Sequence, residues 1–204
     1  MNPTTIDWPW KPLYTINPVV GCKHNCPYCY ARRINNRFKW IPDWTKPQFF
    51  PDRMVDPALN SPKSKKIFIG SMCDLFGAWV PNDWIRHVID CCVKLPWHEF
   101  IFLTKNPKRY HDFEFPRNCW LGATVTNGEL QGDWNRIIYL KEAHAPGRRF
   151  LSIEPILGSF KDVGFPLIDL IIVGADSTRG ARKADPEWIK SIKHPNIYLK
   201  PNVR

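Results

Sequence analysis

Residues 14–33, YTINPVVGCKHNCPYCYARR, place three cysteines immediately after a short apolar segment. The segment YTINPVV has the composition of a strand that ends at Gly21. Cys22, Cys26 and Cys29 follow with C-x3-C-x2-C spacing. Thiolates this close together can hold one metal centre from a single loop. The stretch therefore predicts a strand followed by a metal-binding loop.

Short apolar runs alternate with segments of helical spacing along the rest of the chain. The runs IFIG, EFIFLT, WLGATVT, RFLSIEP, IDLIIVG and IYLK lie at residues 67–70, 99–104, 120–126, 149–155, 168–174 and 197–200. Several are apolar throughout, as in strands covered on both faces. Helices are predicted to start with Asn82 or Asp83 as the N-cap, at Asp133, and at Pro186 with Asp185 as the N-cap.

This alternation predicts an α/β fold with a parallel sheet. A complete eightfold barrel needs about 250 residues, whereas this chain has 204. We therefore expect a partial (βα)6-type parallel barrel, formed by a single domain over residues 1–204. A proline-rich insertion at about residues 40–66 interrupts it, either as a functional lid or as a surface excursion.

Composition restricts the class of protein and its partners. Hydrophobic residues make up 44% and charged residues 24%, which excludes a disordered or fibrous chain. Lys and Arg number 29 against 19 Asp and Glu, and the net charge of +10 favours anionic partners such as nucleic acid. The sequence has no signal-peptide pattern and no membrane-spanning segment, and its cysteines are clustered. We therefore expect a cytoplasmic protein without a disulfide framework.

The cysteine loop allows three interpretations. A structural zinc site would need a fourth ligand, and His24 lies between two of the cysteines, where chelation is strained. Three purely structural thiols are the second possibility. An iron–sulfur cluster matches better, because a cubane held by three cysteines leaves one iron open to a substrate or cofactor.

With Tyr28 immediately before the third cysteine, the loop resembles the signature of the radical SAM superfamily. NPVVGCKHNCPYCYARR resembles its spore photoproduct lyase branch and related phage-associated proteins of unknown function. IFIGSMCDLFGAWVP, FIFLTKNPKR and RFLSIEPILG also resemble those phage-associated proteins.

The resemblance implies a four-iron four-sulfur (4Fe-4S) cluster on Cys22, Cys26 and Cys29, with S-adenosylmethionine on its open iron and Tyr28 near the adenine. It also implies an electron donor, a reductant protein. One electron would cleave the sulfonium and give a 5′-deoxyadenosyl radical, which abstracts a hydrogen atom from the substrate.

Further candidates lie where predicted strands end, at the active face of a parallel barrel. The superfamily has a glycine-rich turn there and an acidic residue that binds the methionine amino group. This chain departs from that pattern, with Ser71 and Met72 in the turn. Asp74 is the candidate for the acidic role, and a turn or N-cap carboxylate is the alternative. Cys73 is a candidate hydrogen-atom donor, as a cysteine elsewhere in the chain is in spore photoproduct lyase.

Two later strands contribute polar candidates. The resemblance implies that Thr124, Thr126 and Asn127 bind ribose hydroxyls, and a turn at the Asn-Gly pair is the alternative. Glu154 lies in the apolar run FLSIEPIL, where a carboxylate is costly unless it is paired or faces a polar cavity. We expect Glu154 to be catalytic or to bind the cofactor, with Ser152 pointing the same way.

Two groups of basic residues complete the candidates. Lys105 follows the third strand, where it could meet a carboxylate or phosphate, and a solvated charge is the alternative. Arg32, Arg33, Arg37 and Lys39 follow the cysteines on a predicted helix. They could contact phosphates, and a solvated helix face is the alternative.

These observations predict a radical SAM enzyme that acts on a nucleic acid or nucleotide. One alternative is a non-catalytic nucleic-acid-binding module with a structural metal site. Another, suggested by the Ser71-Met72 turn, is an interaction protein that keeps the barrel without its chemistry. Because the chain is short, a partner protein or a second copy of the chain is a further expectation, and no membrane partner is expected.

Overall fold

The computed structural model describes residues 1–181 and 183–203. Within them, ten strands and four α-helices form, together with four short 3-10 helices. The strands are β1 (Asn2–Pro3), β2 (Leu13–Ile16), β3 (Val19–Val20), β4 (Gln48–Phe49), β5 (Lys66–Ile69), β6 (Glu99–Thr104), β7 (Cys119–Val125), β8 (Arg149–Ile153), β9 (Leu170–Val173) and β10 (Ile197–Leu199). The α-helices are α1 (Tyr30–Phe38), α2 (Asn82–Lys94), α3 (Gln131–Glu142) and α4 (Pro186–Ser191).

Eight of these strands form one sheet in the order β1-β2-β5-β6-β7-β8-β9-β10. Every neighbouring pair from β2 to β10 is parallel, and β1 runs antiparallel to β2. The predicted α/β fold with a mostly parallel sheet is confirmed, and its seven parallel strands correspond to the seven apolar runs. In the part of the chain that the structure describes, β1 and β10 are not neighbours, so the sheet does not close into a full barrel.

Side chains alternate between the two faces of the sheet, and both faces are covered. On β5, Ile67 and Ile69 join the outer cluster that includes side chains of α2 and α3, whereas Phe68 joins an inner cluster. Trp8 and Trp10, from the segment before β2, complete this inner cluster. The inner cluster consists of Trp8, Trp10, Leu13, Phe68, Ile101, Trp120, Phe150 and Ile172.

The helix starts agree with the sequence in one of three cases. Asp185 caps α4 by accepting a hydrogen bond from a backbone N–H of the first turn, as predicted. The predicted N-caps of α2 are wrong, because the capping position is Pro81. Helix α3 begins at Gln131, before Asp133, because the Asp133 carboxylate accepts backbone N–H groups of the preceding loop instead of capping the helix.

Residues 40–66 are an ordered part of the fold. Ile41, Met54 and Leu59 are almost completely buried, and β4 pairs with β3. The proline-rich segment therefore packs against the body of the protein instead of standing away from it. None of the helices in the described residues is long and apolar enough to span a bilayer.

Candidate functional site

A cavity of about 1010 Å³ lies at the carboxyl ends of the parallel strands. Thr15, Leu103, Thr124 and Ser152, from four different strands, line it from the inner face of the sheet. The rest of its wall comes from the cysteine loop and α1, the N-terminal segment, the proline-rich insertion, and the segments that follow the parallel strands. Ligand pockets measure about 300–1,000 Å³, so the cavity has room for a nucleoside-sized cofactor.

Most of the site residues predicted from sequence line this one cavity. They are Cys22, Cys26, Tyr28, Cys29, Ser71, Cys73, Asp74, Thr124 and Glu154. Thr126 and Asn127 are not among its lining residues. The Thr126 hydroxyl donates to the Asp133 carboxylate at 3.0 Å, and the Asn127 side-chain oxygen accepts the Glu129 N–H at 2.9 Å. The structure thus places these two residues in the turn that leads into α3, in line with the turn alternative.

Gly21 directs the chain from β3 into the cysteine loop. Its φ is +109°, and a Cβ there would lie 2.9 Å from both the Pro47 Cα and the Trp44 carbonyl oxygen. The next residue, Cys22, donates its backbone N–H to that same Trp44 carbonyl at 2.9 Å. Only glycine fits this conformation and this spacing. The proline-rich insertion therefore holds the start of the loop.

The three cysteines are free thiols with distinct surroundings. Cys29 caps α1, with its Sγ accepting the Arg32 N–H at 3.3 Å. The Sγ of Cys26 accepts a hydrogen bond from Lys105 Nζ at 3.2 Å. Burial raises the pKa of Cys22 to about 12.

The donor groups of the loop bear on which metal centre it could hold. Across residues 1–181 and 183–203, no group of three or more His, Cys, Asp or Glu side chains is placed to hold a metal ion. A zinc ion needs ligands about 2.0–2.3 Å away on all sides, and His24 instead bonds to Asp74 at 2.6 Å. A cubane is bound through separate irons, so its thiolates need not meet at one point. Cys22, Cys26 and Cys29 all line the one cavity, and thiolates are the ligands that iron–sulfur clusters take.

Lys105 supplies a positive charge beside the loop. Its Nζ donates to the Tyr28 hydroxyl at 2.7 Å and lies 4.8 Å from the centre of the Tyr28 ring. Burial alone would lower the pKa of Lys105, but the interactions with Tyr28 and Cys26 outweigh it and the pKa is raised. Lys105 is therefore a cation that holds Tyr28 next to Cys26.

Asp74 is buried and accepts four hydrogen bonds. One carboxylate oxygen accepts the Thr104 hydroxyl at 2.6 Å and the Phe76 N–H at 3.1 Å. The other accepts His24 Nε2 at 2.6 Å and the Lys105 N–H at 2.9 Å. A carboxylate has about four acceptor sites, so binding a cofactor amino group would displace one of these donors. As it stands, Asp74 joins the cysteine loop to the end of β6.

The Ser71-Met72 turn is held by Asn17, which the sequence analysis did not identify. The Asn17 side-chain oxygen accepts the Met72 N–H at 2.8 Å and the Ser71 hydroxyl at 3.1 Å. The Ser71 carbonyl accepts the Tyr30 hydroxyl at 2.7 Å. Asn17 follows directly after β2, so the strand-end rule that selected the other candidates could have found it. Next to this turn, burial raises the pKa of Cys73 well above its usual value.

Glu154 is paired and also lines the cavity. Its carboxylate forms an ion pair with Lys200, and both side chains line the cavity with limited exposure. Thr124 and Ser152 are register partners on β7 and β8 and lie in the same wall. The sequence analysis missed Lys200, although it also follows a strand at its carboxyl end.

The fold places the chain among α/β proteins with a mostly parallel sheet, and it resembles the radical SAM enzyme spore photoproduct lyase. A doubly substituted spore photoproduct lyase with bound AdoMet and dinucleoside spore photoproduct matches with a TM-score of 0.53 and 12% identity, over 69% of this chain and 45% of that chain. A singly substituted form with dinucleoside spore photoproduct gives a TM-score of 0.49 and 12% identity, over 67% and 44%. This chain therefore spans less than half the length of those structures.

The sequence defines the family. The chain belongs to the family described as protein of unknown function (DUF5131), which matches residues 3–197. No curated protein matches the sequence. At 12% identity the structural likeness establishes the fold, and the site residues have to carry any statement about activity.

Proposed function

We propose that this chain is a radical SAM enzyme that acts on a nucleic acid or nucleotide. Cys22, Cys26 and Cys29 would hold a 4Fe-4S cluster, and S-adenosylmethionine would lie in the adjoining cavity. The observation that carries the proposal is that the three thiols of a C-x3-C-x2-C loop open onto one cavity at the carboxyl ends of a parallel sheet. When bound and reduced by a donor protein, this pair of cofactors supplies a 5′-deoxyadenosyl radical.

The residues around the loop are suited to holding a charged centre. The ammonium group of Lys105 donates toward Cys26 Sγ at 3.2 Å, so it stabilises negative charge on that sulfur. The four hydrogen bonds of Asp74 fix His24, inside the loop, against β6. We propose that Lys105 and Asp74 position the cysteines, and Asp74 retains its predicted role toward the cofactor as part of this proposal.

The opposite wall offers groups for the rest of a nucleoside-like cofactor. The hydroxyls of Thr124 and Ser152 can both donate to and accept from a vicinal diol. The Glu154–Lys200 pair adds one negative and one positive group nearby. Because both members of the pair are charged, each can exchange its partner for a ligand group of the opposite charge.

Cys73 is proposed as a hydrogen-atom donor within the same cavity. Burial raises the pKa of its thiol well above the usual value, so the group stays protonated at neutral pH. The protonated thiol is the form that carries a transferable hydrogen atom. Cys73 lines the cavity and pairs with Gly21 in a short parallel bridge, so it lies beside the start of the cysteine loop.

Anaerobic reconstitution with iron and sulfide tests the proposal, followed by electron paramagnetic resonance of the reduced protein with and without S-adenosylmethionine. We expect a cluster signal that changes when the cofactor is added and is lost in Cys26→Ala. Cys91→Ala is the matched control, because Cys91 is a free, half-buried thiol on α2 outside the cavity. A zinc-only protein, or a cluster that does not respond to the cofactor, would contradict the proposal.

A further inference from the structure

Basic residues lie on two segments that also contribute side chains to the wall of the cavity. Arg33, Arg37 and Lys39 lie on α1 and directly after it, and Arg179 and Lys183 lie in the loop after β9. All five are exposed, and we call them the basic rim. We propose that the basic rim, with the aromatic side chains beside it, is a docking surface for a single-stranded polynucleotide.

On the α1 side of the rim, no ion pair among the described residues neutralises the charge. Residues 8–42 contain six Lys and Arg and no Asp or Glu. None of the ion pairs among the described residues includes Arg33, Arg37 or Lys39. Arg33 and Arg37 are four residues apart on α1, where like charges destabilise a helix. An external polyanion would offset this repulsion.

The two sides of the rim are connected and border the same opening. Arg33 Nη1 donates to the Thr178 hydroxyl at 3.0 Å, which joins α1 to the loop after β9. Tyr30 and Ile34 of α1 line the cavity, and so does Asp176 of the loop. A strand that binds the rim therefore lies across the mouth, with its bases next to the cavity.

Exposed aromatic rings lie beside these charges. Tyr30, Phe38 and Trp40 are 42%, 57% and 49% exposed, and Tyr30 and Trp40 also line the cavity. The Arg37 guanidinium lies 5.1 Å from the centre of the Phe38 ring. Rings interleaved with cationic groups bind unpaired bases by stacking while the charges follow the phosphates. In a duplex the base faces are covered, so the rings could not reach them without base flipping.

The proposal deepens the proposed function, but binding to the rim requires no cofactor cleavage. The test is fluorescence anisotropy of labelled oligothymidylate, oligouridylate and a duplex of equal length, titrated with cluster-loaded protein over a series of salt concentrations. The guanidinium and ammonium groups contact phosphates and the rings contact base faces, so none of these side chains reads the sugar. We therefore expect the DNA and RNA single strands to bind equally well, and both more tightly than the duplex.

Two variants separate the charges from the rings. In the double variant Arg37→Ala and Lys39→Ala, the slope of log affinity against log salt should decrease by about 1.4, at about 0.7 for each lost phosphate contact in a single strand. Trp40→Ala should weaken binding about tenfold with little change in slope. The matched control is Lys94→Ala with Lys141→Ala, which removes two exposed charges from α2 and α3 and should change neither quantity.

Three results would overturn the docking surface. The duplex could bind more tightly than the single strands, or the control could lose as much affinity and salt slope as the rim variants. The Arg37 and Lys39 variant could also keep the wild-type salt slope. Thermal unfolding checks that each variant folds, which is expected because every substituted side chain is exposed. If the strand binds but S-adenosylmethionine does not change the cluster signal, the docking surface stands and the proposed function fails. If the cluster signal responds but no strand binds, the proposed function stands and the docking surface fails.

Discussion

The inner face of the sheet differs between its two ends. Toward the amino ends of the strands, Trp10 meets Trp120 and Phe150 edge to face, with ring centres 5.1 Å apart in both pairs. Toward the carboxyl ends, the same strands present Thr124 and Ser152 to an open cavity. The comparison shows how one set of strands supports two tasks, with aromatic packing at one end and a polar site at the other.

The packed end depends on space made by a glycine. A Cβ on Gly122, in the middle of β7, would lie 2.3 Å from atoms of the Phe150 ring. The missing side chain therefore gives room to a ring that contacts both Trp8 and Trp10. We call Trp8, Trp10, Trp120 and Phe150 the aromatic plug. The plug forms the floor of the cavity, since Trp8 also belongs to the cavity wall.

Substitution of two tryptophans tests the difference between the ends most strongly. Trp8 is 2% exposed in the plug, whereas Trp40 is 49% exposed at the mouth. Trp8→Ala should lower the free energy of unfolding by about 3–5 kcal/mol, because it leaves a cavity in a packed core. Trp40→Ala should change it by less than about 0.5 kcal/mol. Urea unfolding followed by circular dichroism measures both, and equal losses would contradict the division into plug and mouth.

A substitution within the polar end tests how much the hydrogen bonds of Asp74 stabilise it. In Asp74→Asn an NH₂ group replaces one oxygen, so a donor faces donors from His24 and Lys105 or from Thr104 and Phe76. We expect a loss of about 1–3 kcal/mol in urea unfolding, the cost of unsatisfied buried groups.

The matched control is Asp176→Asn. Asp176 also lines the cavity, but it is more exposed and accepts the Thr178 N–H at 2.8 Å. Its loss should stay below about 1 kcal/mol, the typical net value of one hydrogen bond. If both variants lose the same stability, the Asp74 network does not hold the polar end together.

The smallest effect concerns the response of the amino end to acid. His98, just before β6, is fully buried, with Nδ1 accepting the Lys65 N–H at 3.2 Å and Nε2 donating to the Leu59 carbonyl at 3.0 Å. Burial lowers the pKa of His98. The unfolded chain therefore binds a proton at a higher pH than the folded chain does, and stability falls as the pH drops below about 6.5.

The midpoint of urea unfolding, measured at pH values from about 7.5 to 5, checks this expectation. The wild-type midpoint should decrease over that range, and His98→Gln should reduce the decrease because it removes the titrating ring. An unchanged pH dependence in the variant would assign the effect to other groups. Trp40→Ala, at the opposite end, should retain the wild-type dependence.

Local patterns in the sequence were sufficient for the seven parallel strands and for the loop of cysteines. The first predicted strand was too long, because the chain divides at Asn17-Pro18 into β2 and β3, and β3 pairs with β4 in a second sheet. The apolar runs matched the seven parallel strands because burial on both faces leaves a continuous apolar signature. Glu154 was identifiable because a carboxylate in such a run must face a partner or a cavity, and it does both. The C-x3-C-x2-C loop was identifiable because its three side chains are close along the chain.

Only the tertiary structure decided which residues pair with one another in the site. Lys105 reaches Cys26 across 79 positions, and Lys200 reaches Glu154 across 46. No local pattern encodes such pairs, because they depend on the order and curvature of the strands. Thr126 and Asn127 show the same limit in the opposite direction. Thr126 ends the same run as Thr124 and Asn127 follows it, but the buried Asp133 carboxylate accepts their backbone N–H groups and holds them in the turn before α3.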